Sequence, residues 1–252
     1  MAADQPAPAP PPAAQRTSEG VQRMFDRVAP RYDLANTVFS LGQDRAWRQA
    51  AARASRLAAG QVAVDVACGT GALTRELEAM APGAVVAGLD FSQGMLARAR
   101  STGGARSAPP GPPGPSLRLA AGDALRLPLA DASVDVVTIA FGLRNLPEPG
   151  QGLLEFRRVL RPGGRLVVCE FSHPVVPVFR QLYRRYLTRL MPVAARRLTS
   201  DPEAYQYLAR SIGAWPDQPG LARWLQEAGF AAVAWRDLSG GIVALHRGIA
   251  AG

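Results

Sequence analysis

A chain of 252 residues is long enough to bury a full core, and at roughly 100–200 residues per domain it reads as one decorated domain. Its 29 basic residues are all Arg, and against 20 acids they leave a formal net charge of +9, which suits nucleic acid, an anionic membrane or an acidic substrate without choosing among them. Cys68 and Cys169 lack CxxC spacing and nearby His partners, so neither a zinc site nor a disulfide framework is expected. The start, MAADQPAPAPPPAAQ, lacks the pattern of a secretory signal, and no run reaches the ~18 apolar residues of a membrane span. A cytoplasmic protein is expected, touching the inner face of the cell membrane at most peripherally.

Residues 1–17 are too rich in Pro and Ala to bury much apolar surface, and a disordered tail is expected there. The folded part, 18–252, opens with a helical cap: Val21, Met24, Phe25 and Val28 recur at i, i+3, i+4, i+7, and Trp47, Ala50, Ala51, Ala54 and Leu57 line a second helix. From Gln61 short apolar runs alternate with helix-length segments: VAVDVA (62–67), AVVAGLD (84–90), LRLAAGD (117–123), VDVVTIAF (134–141) and RLVVCEF (165–171). Strands separated by crossover helices predict an α/β fold with a doubly wound, mainly parallel sheet. STGGARSAPPGPPGPS (101–116) reads as a flexible insert inside that domain. Helical patterns VFRQLYRRYLTRL and LARWLQEAGF follow, then FAAVAWRDL and GIVALHRG, an antiparallel pair joined through Ser239, Gly240 and Gly241.

DVACGTGALT (65–74) puts Asp65 on the first strand and Gly69 and Gly71 where that strand turns into a helix, so that backbone can approach a ligand closely. Asp90 ends the next strand at the spacing where a carboxylate accepts hydrogen bonds from ribose hydroxyls, and Asp123 with Ala124 ends the third, where an adenine amino group could sit. A dinucleotide fold requires a third small residue, and Thr74 stands there instead. One ribose, one adenine and a charged amino-acid tail fit as well, which means S-adenosylmethionine. An NAD-dependent oxidoreductase is the alternative from a different class.

Four stretches carry a narrower signal: YDLANTVFSLGQDRAW (32–47), DVACGTGALT, FGLRN (141–145) and RVLRPGGRLVVCEFS (158–172), with DPEAYQYLARSI and GGIVALHRG behind them. Together they resemble the ubiquinone/menaquinone biosynthesis C-methyltransferase family, within the class I methyltransferases. The resemblance implies a seven-stranded Rossmann-like sheet with one antiparallel strand near the C-terminus. It also implies methyl transfer from S-adenosylmethionine to a ring carbon of a polyprenylated quinol: a naphthoquinol such as demethylmenaquinol, or alternatively a ubiquinone precursor. The family's cosubstrate contacts fall on Thr74, Asp90, Asp123 and Ala124. A further contact is usually Ser where this chain has Ala140, leaving only backbone, and Asp44 stands where a His is common.

Methyl transfer to an aromatic carbon needs a ring made electron-rich by oxygen, so the reduced quinol is the expected substrate. Asp33 is a candidate base, Arg144 an electrostatic partner for a developing phenolate and Asn145 an anchor for the second oxygen; Tyr32, Asn36 and His246 are candidate substrate contacts. The segment RQLYRRYLTRLMPVAARR (180–197), with six Arg and no acid, reads as a basic amphipathic helix suited to anionic lipid. No metal and no nucleic acid are expected, and a homodimer is left open.

Overall fold

The computed structural model describes residues 20, 22, 24, 26, 27, 37, 40, 42–103, 118–190 and 202–251. Seven strands form one sheet in the order β3-β2-β1-β4-β5-β7-β6. They are β1 (Val62–Val66), β2 (Val85–Asp90), β3 (Arg118–Ala121), β4 (Val134–Ala140), β5 (Leu160–Phe171), β6 (Phe230–Leu238) and β7 (Val243–Ala250). Pairing is parallel from β3 through to β5, and β7 runs antiparallel to both β5 and β6. The expected doubly wound sheet with its antiparallel strand is what forms. The β6–β7 connection passes through a short 3₁₀ turn, Ser239–Gly241, as the glycines there require.

Helices α1 (Asp44–Ser55) and α2 (Ala72–Met80) cover one face; α4 (Pro149–Val159) and α7 (Gln218–Glu227) cover the other; α3 (Gln93–Gly103) follows β2. The period-two alternation of the strands divides their apolar side chains between these layers. Val64, Val66, Val137, Ile139 and Val168 join Leu153, Phe156, Leu221 and Leu225 in one core. Ala63, Val136, Val167 and Cys169 meet Trp47, Ala50, Ala51, Leu73 and Leu77 in the other. Both thiols are free and buried, and burial pushes both well above the usual range.

Local chemistry sets the helix ends. Gly71 precedes α2 in the left-handed region (φ 75°), Pro149 starts α4 with its fixed φ, and Asp217 caps α7 by accepting the Gly220 N–H at 2.9 Å. The basic segment begins as α5 (Pro177–Arg185) and continues as a π-helical turn, Tyr186–Leu190, while 191–200 lie outside the described residues. Sequence periodicity did not separate out α6 (Pro202–Gly213). Of the expected cap, Gly20, Gln22, Met24, Asp26 and Arg27 are described and helical; residues 1–19 and 104–117 lie outside the described residues.

Candidate functional site

Parallel strands end together, so the carboxyl ends of β1, β2 and β4 border one crevice. Asp90 ties two of these ends to each other: its Oδ2 accepts the Gly69 N–H at 2.8 Å and its Oδ1 the Ser92 N–H at 2.8 Å. Burial raises this carboxyl above its usual range, and the two N–H donors oppose that shift. Ala67 and Phe141, which follow β1 and β4, both adopt positive φ (51° and 58°). A Cβ on Gly142 would come within 2.7 Å of the Ala67 Cβ, so glycine is what lets the two strand ends pack side by side. Left-handed backbone at two non-glycine residues costs on the order of 1–3 kcal/mol each, and such strain gathers at functional sites.

The crevice holds a cleft bordered by Asp90, Phe91, Met95, Asp123, Ala124 and Asn145. A smaller pocket is lined by Arg48, Asp65, Gly69 and Thr70. Ala67, Gly69, Ala140 and Phe141 border both spaces. Beneath the smaller one, the Thr74 and Thr138 hydroxyls each donate to Asp65 at 2.8 Å. Asp65 is 1% exposed, and burial pushes its carboxyl up to about 6 despite these donors.

Of the residues singled out from sequence, Asp65, Gly69, Asp90, Asp123, Ala124, Ala140 and Asn145 come together around these two spaces. Gly71 stands behind them as the cap of α2. Thr74 differs from expectation: it is fully buried, borders neither space and spends its hydroxyl on Asp65. Its route to a ligand is therefore through Asp65. His246 also departs from expectation. It lies mid-strand opposite Val168, 1% exposed, with Nε2 2.9 Å from the Gln218 carbonyl oxygen and its ring stacked on Trp235. Strand alternation turns it into the α7 layer, away from the crevice. Tyr32, Asp33 and Asn36 lie outside the described residues.

Arg144 is neither exposed nor on the cleft wall. It sits in a 3₁₀ turn, Leu143–Asn145, with Nη1 donating to Glu170 Oε1 at 2.9 Å and to the Phe141 carbonyl at 2.6 Å. Its guanidinium lies 5.1 Å from the centre of the Phe171 ring. Its Nε is buried without a hydrogen-bond partner among the described residues. Asn145 beside it donates from Nδ2 to the Phe141 carbonyl at 3.1 Å and accepts the Tyr207 hydroxyl at 3.2 Å.

Sequence reasoning passed over several participants. Arg48 was signalled only by standing four residues after Asp44, with which it pairs. Tyr207 lies in DPEAYQYLARSI, where nothing in the pattern marks it out. Asp26 reaches across from the amino-terminal helical residues to accept from the Ser92 hydroxyl at 2.5 Å and the Gly94 N–H at 3.0 Å. It thereby docks the cap on the turn that carries Asp90.

Comparison with known proteins agrees with this geometry. The family model described as the ubiE/COQ5 methyltransferase family matches residues 13–250. Demethylmenaquinone methyltransferase of Corynebacterium kroppenstedtii is 51% identical over 226 residues, covering 90% of this chain and 92% of that protein. The protein of the same name from Mycobacterium sp. (strain JLS) is 52% identical over 229 residues, covering 91% and 93%. Among solved structures, a SAM-dependent methyltransferase of Thermotoga maritima superposes with a TM-score of 0.60 at 18% identity, over 91% of this chain and 99% of that one. The [4+2]-cyclase SpnF gives 0.65 at 22% identity, over 95% and 80%. The two structures share the fold and, by their names, not the reaction, so the fold does not select the chemistry. The sequence relatives do, and the chain belongs to the ubiE/COQ5 methyltransferase family.

Proposed function

We propose that this chain transfers a methyl group from S-adenosylmethionine to a ring carbon of demethylmenaquinol, a polyprenylated naphthoquinol. The observation that carries the reading is the paired space at the strand ends: a cleft with a carboxylate suited to ribose, joined through Ala140 and Phe141 to a small charged pocket. The residues fit the cosubstrate. A Cβ built on Gly69 meets no protein atom within 4 Å, so the space above the turn is clear for a ligand. Asp90 is the acceptor for the ribose hydroxyls, Asp123 and the Ala124 backbone border the adenine, and Asp65 attracts the ammonium of the amino-acid tail. Bound there, S-adenosylmethionine supplies an electrophilic methyl group.

The chain's own work is to raise electron density on the quinol and align it. Asn145, held by Tyr207 and the Phe141 carbonyl, is the anchor for one quinol oxygen. Arg144 acts from behind the cleft wall: Glu170 balances its charge, and its Nη1 fixes the Phe141 carbonyl that also holds Asn145, so it positions that anchor and adds a cation's field to the site without touching the phenolate. Asp33 is assigned the base on its place in the amino-terminal signature. The ring loses its hydrogen as a proton when the new carbon–carbon bond is complete, which restores aromaticity.

The long prenyl tail requires access from lipid. Val175, Val176, Val178 and Leu182, before and along α5, are all at least 50% exposed, and Arg180, Arg184 and Arg185 stand among them with no acid between 171 and 200. That combination supports peripheral contact with an anionic membrane. Product analysis by mass spectrometry with labelled S-adenosylmethionine tests the reaction. Label should enter demethylmenaquinol under reducing conditions and not the oxidised quinone; label in a ubiquinone precursor alone would overturn the substrate assignment.

A further inference from the structure

The pocket beside the main cleft contains two opposite charges that do not meet. Arg48 and Asp65 both border it, yet they form no ion pair; Arg48 pairs instead with Asp44, one turn earlier on α1. That Arg48 Nη1 to Asp44 Oδ2 contact is the one hydrogen bond of its guanidinium to the described residues, which leaves the other donors of the fork uncommitted. Asp44 is itself fixed by Ser40, whose hydroxyl donates to Oδ1 at 3.2 Å. On the far side, each Asp65 oxygen accepts one threonine hydroxyl and keeps a lone pair. Gly69 lines the same pocket and borders the main cleft as well.

A guanidinium and a carboxylate held apart across a small pocket form a receptor for a zwitterion. The amino-acid end of a sulfonium nucleoside is such a group, with a carboxylate and an ammonium on one carbon. From this geometry we infer that Arg48 binds the α-carboxylate of the cosubstrate, opposite the ammonium that faces Asp65, and that Asp44 is the positioning residue that aims it. The inference rests on the proposed use of S-adenosylmethionine and extends it to a side chain of α1. It also accounts for an acid at position 44: Asp44 orients the cation of the tail pocket.

Two nucleosides separate this role from a structural one. S-adenosylhomocysteine carries the amino-acid tail, and 5′-methylthioadenosine has the same adenosine and sulfur without it. In calorimetry, Arg48→Gln should weaken S-adenosylhomocysteine by roughly ten- to hundredfold, the loss of a charge-assisted contact. Its affinity for 5′-methylthioadenosine should match the wild type, which also shows that the variant is folded. Arg48→Lys should recover part of the loss, and Asp44→Asn should show a smaller loss confined to the same ligand. Equal weakening of both nucleosides by Arg48→Gln, or of neither, would overturn the assignment. Wild-type protein that bound neither nucleoside would overturn the cosubstrate reading itself, and the role of Arg48 with it.

Discussion

Arg144 and Glu170 meet at 2.9 Å with side chains 6% and 1% exposed, joining the turn after β4 to the end of β5. Burial raises the Glu170 carboxyl, and Arg144 with two backbone N–H groups opposes the shift. Breaking a buried pair leaves one uncompensated charge, at a cost of about 3–5 kcal/mol, whereas replacing both members by apolar groups is often close to neutral. Glu170→Gln should therefore destabilise the protein by about that much in urea titrations. The double variant Arg144→Met/Glu170→Met should recover most of the stability while turnover stays lost. Recovered turnover in the double variant would reduce Arg144 to a structural role.

Asp65 should make both stability and ligand affinity depend on pH. Its folded value of about 6 lies above the ordinary 3.8, so between those limits the native state holds a proton that the unfolded state has lost. Stability then falls as pH rises through that window, by about 3 kcal/mol in all, and the slope should flatten in Asp65→Asn. Affinity should run the opposite way, because an ammonium prefers the ionised carboxylate. Calorimetry with S-adenosylhomocysteine should show binding tighten from pH 5 to 7 in the wild type and change little in Asp65→Asn.

Ala140 offers a gain rather than a loss. It is only partly buried, at the margin of the α1–α2 core, and borders both spaces, so Ala140→Ser introduces a hydroxyl beside the ligand with little change in packing. One net hydrogen bond is worth about 0.5–1.5 kcal/mol. The dissociation constant of S-adenosylhomocysteine should accordingly fall by roughly two- to tenfold.

His246 should prove structural. Burial lowers its value below 6.5, so the unfolded chain takes up a proton first, and stability is lost as pH drops through 6.5 and below. His246→Ala should cost about 2–3 kcal/mol in stability through lost packing and an unpaired Gln218 carbonyl. Turnover at a temperature where the variant is folded should stay within about twofold, since the ring lies off the crevice.

The α5 surface should be separable from the active site. Val178→Asp/Leu182→Asp should abolish cosedimentation with phosphatidylglycerol vesicles and leave S-adenosylhomocysteine affinity unchanged, because both side chains are exposed and neither borders the cleft. Wild-type protein that failed to sediment with these vesicles would remove the membrane contact.

Strand existence, order of elements and the strand-end carboxylates are local in origin, and residues such as Val136, Val137, Gly69 and Asp90 announce them. An apolar run of five to eight residues between helix-length segments admits few structures, and a carboxylate at such a run's end must open on the crevice once the strands align. What the sequence cannot contain is the partner each polar group finds across the fold. Thr74 looked like a ligand contact until folding placed the Asp65 carboxylate within reach of its hydroxyl. Arg144 reads in sequence as an electrostatic partner for a phenolate, and only the parallel pairing of β4 with β5 brings Glu170 to balance its charge. Likewise, the distance that keeps Arg48 from pairing with Asp65 depends on how α1 packs across the sheet. The chain by itself determined a nucleoside-binding α/β sheet with a family-specific set of residues at its rim. Tertiary structure alone decided which of them face the ligand and which spend their charge on one another, because a hydrogen bond or ion pair is set by separation in space and not by spacing along the chain.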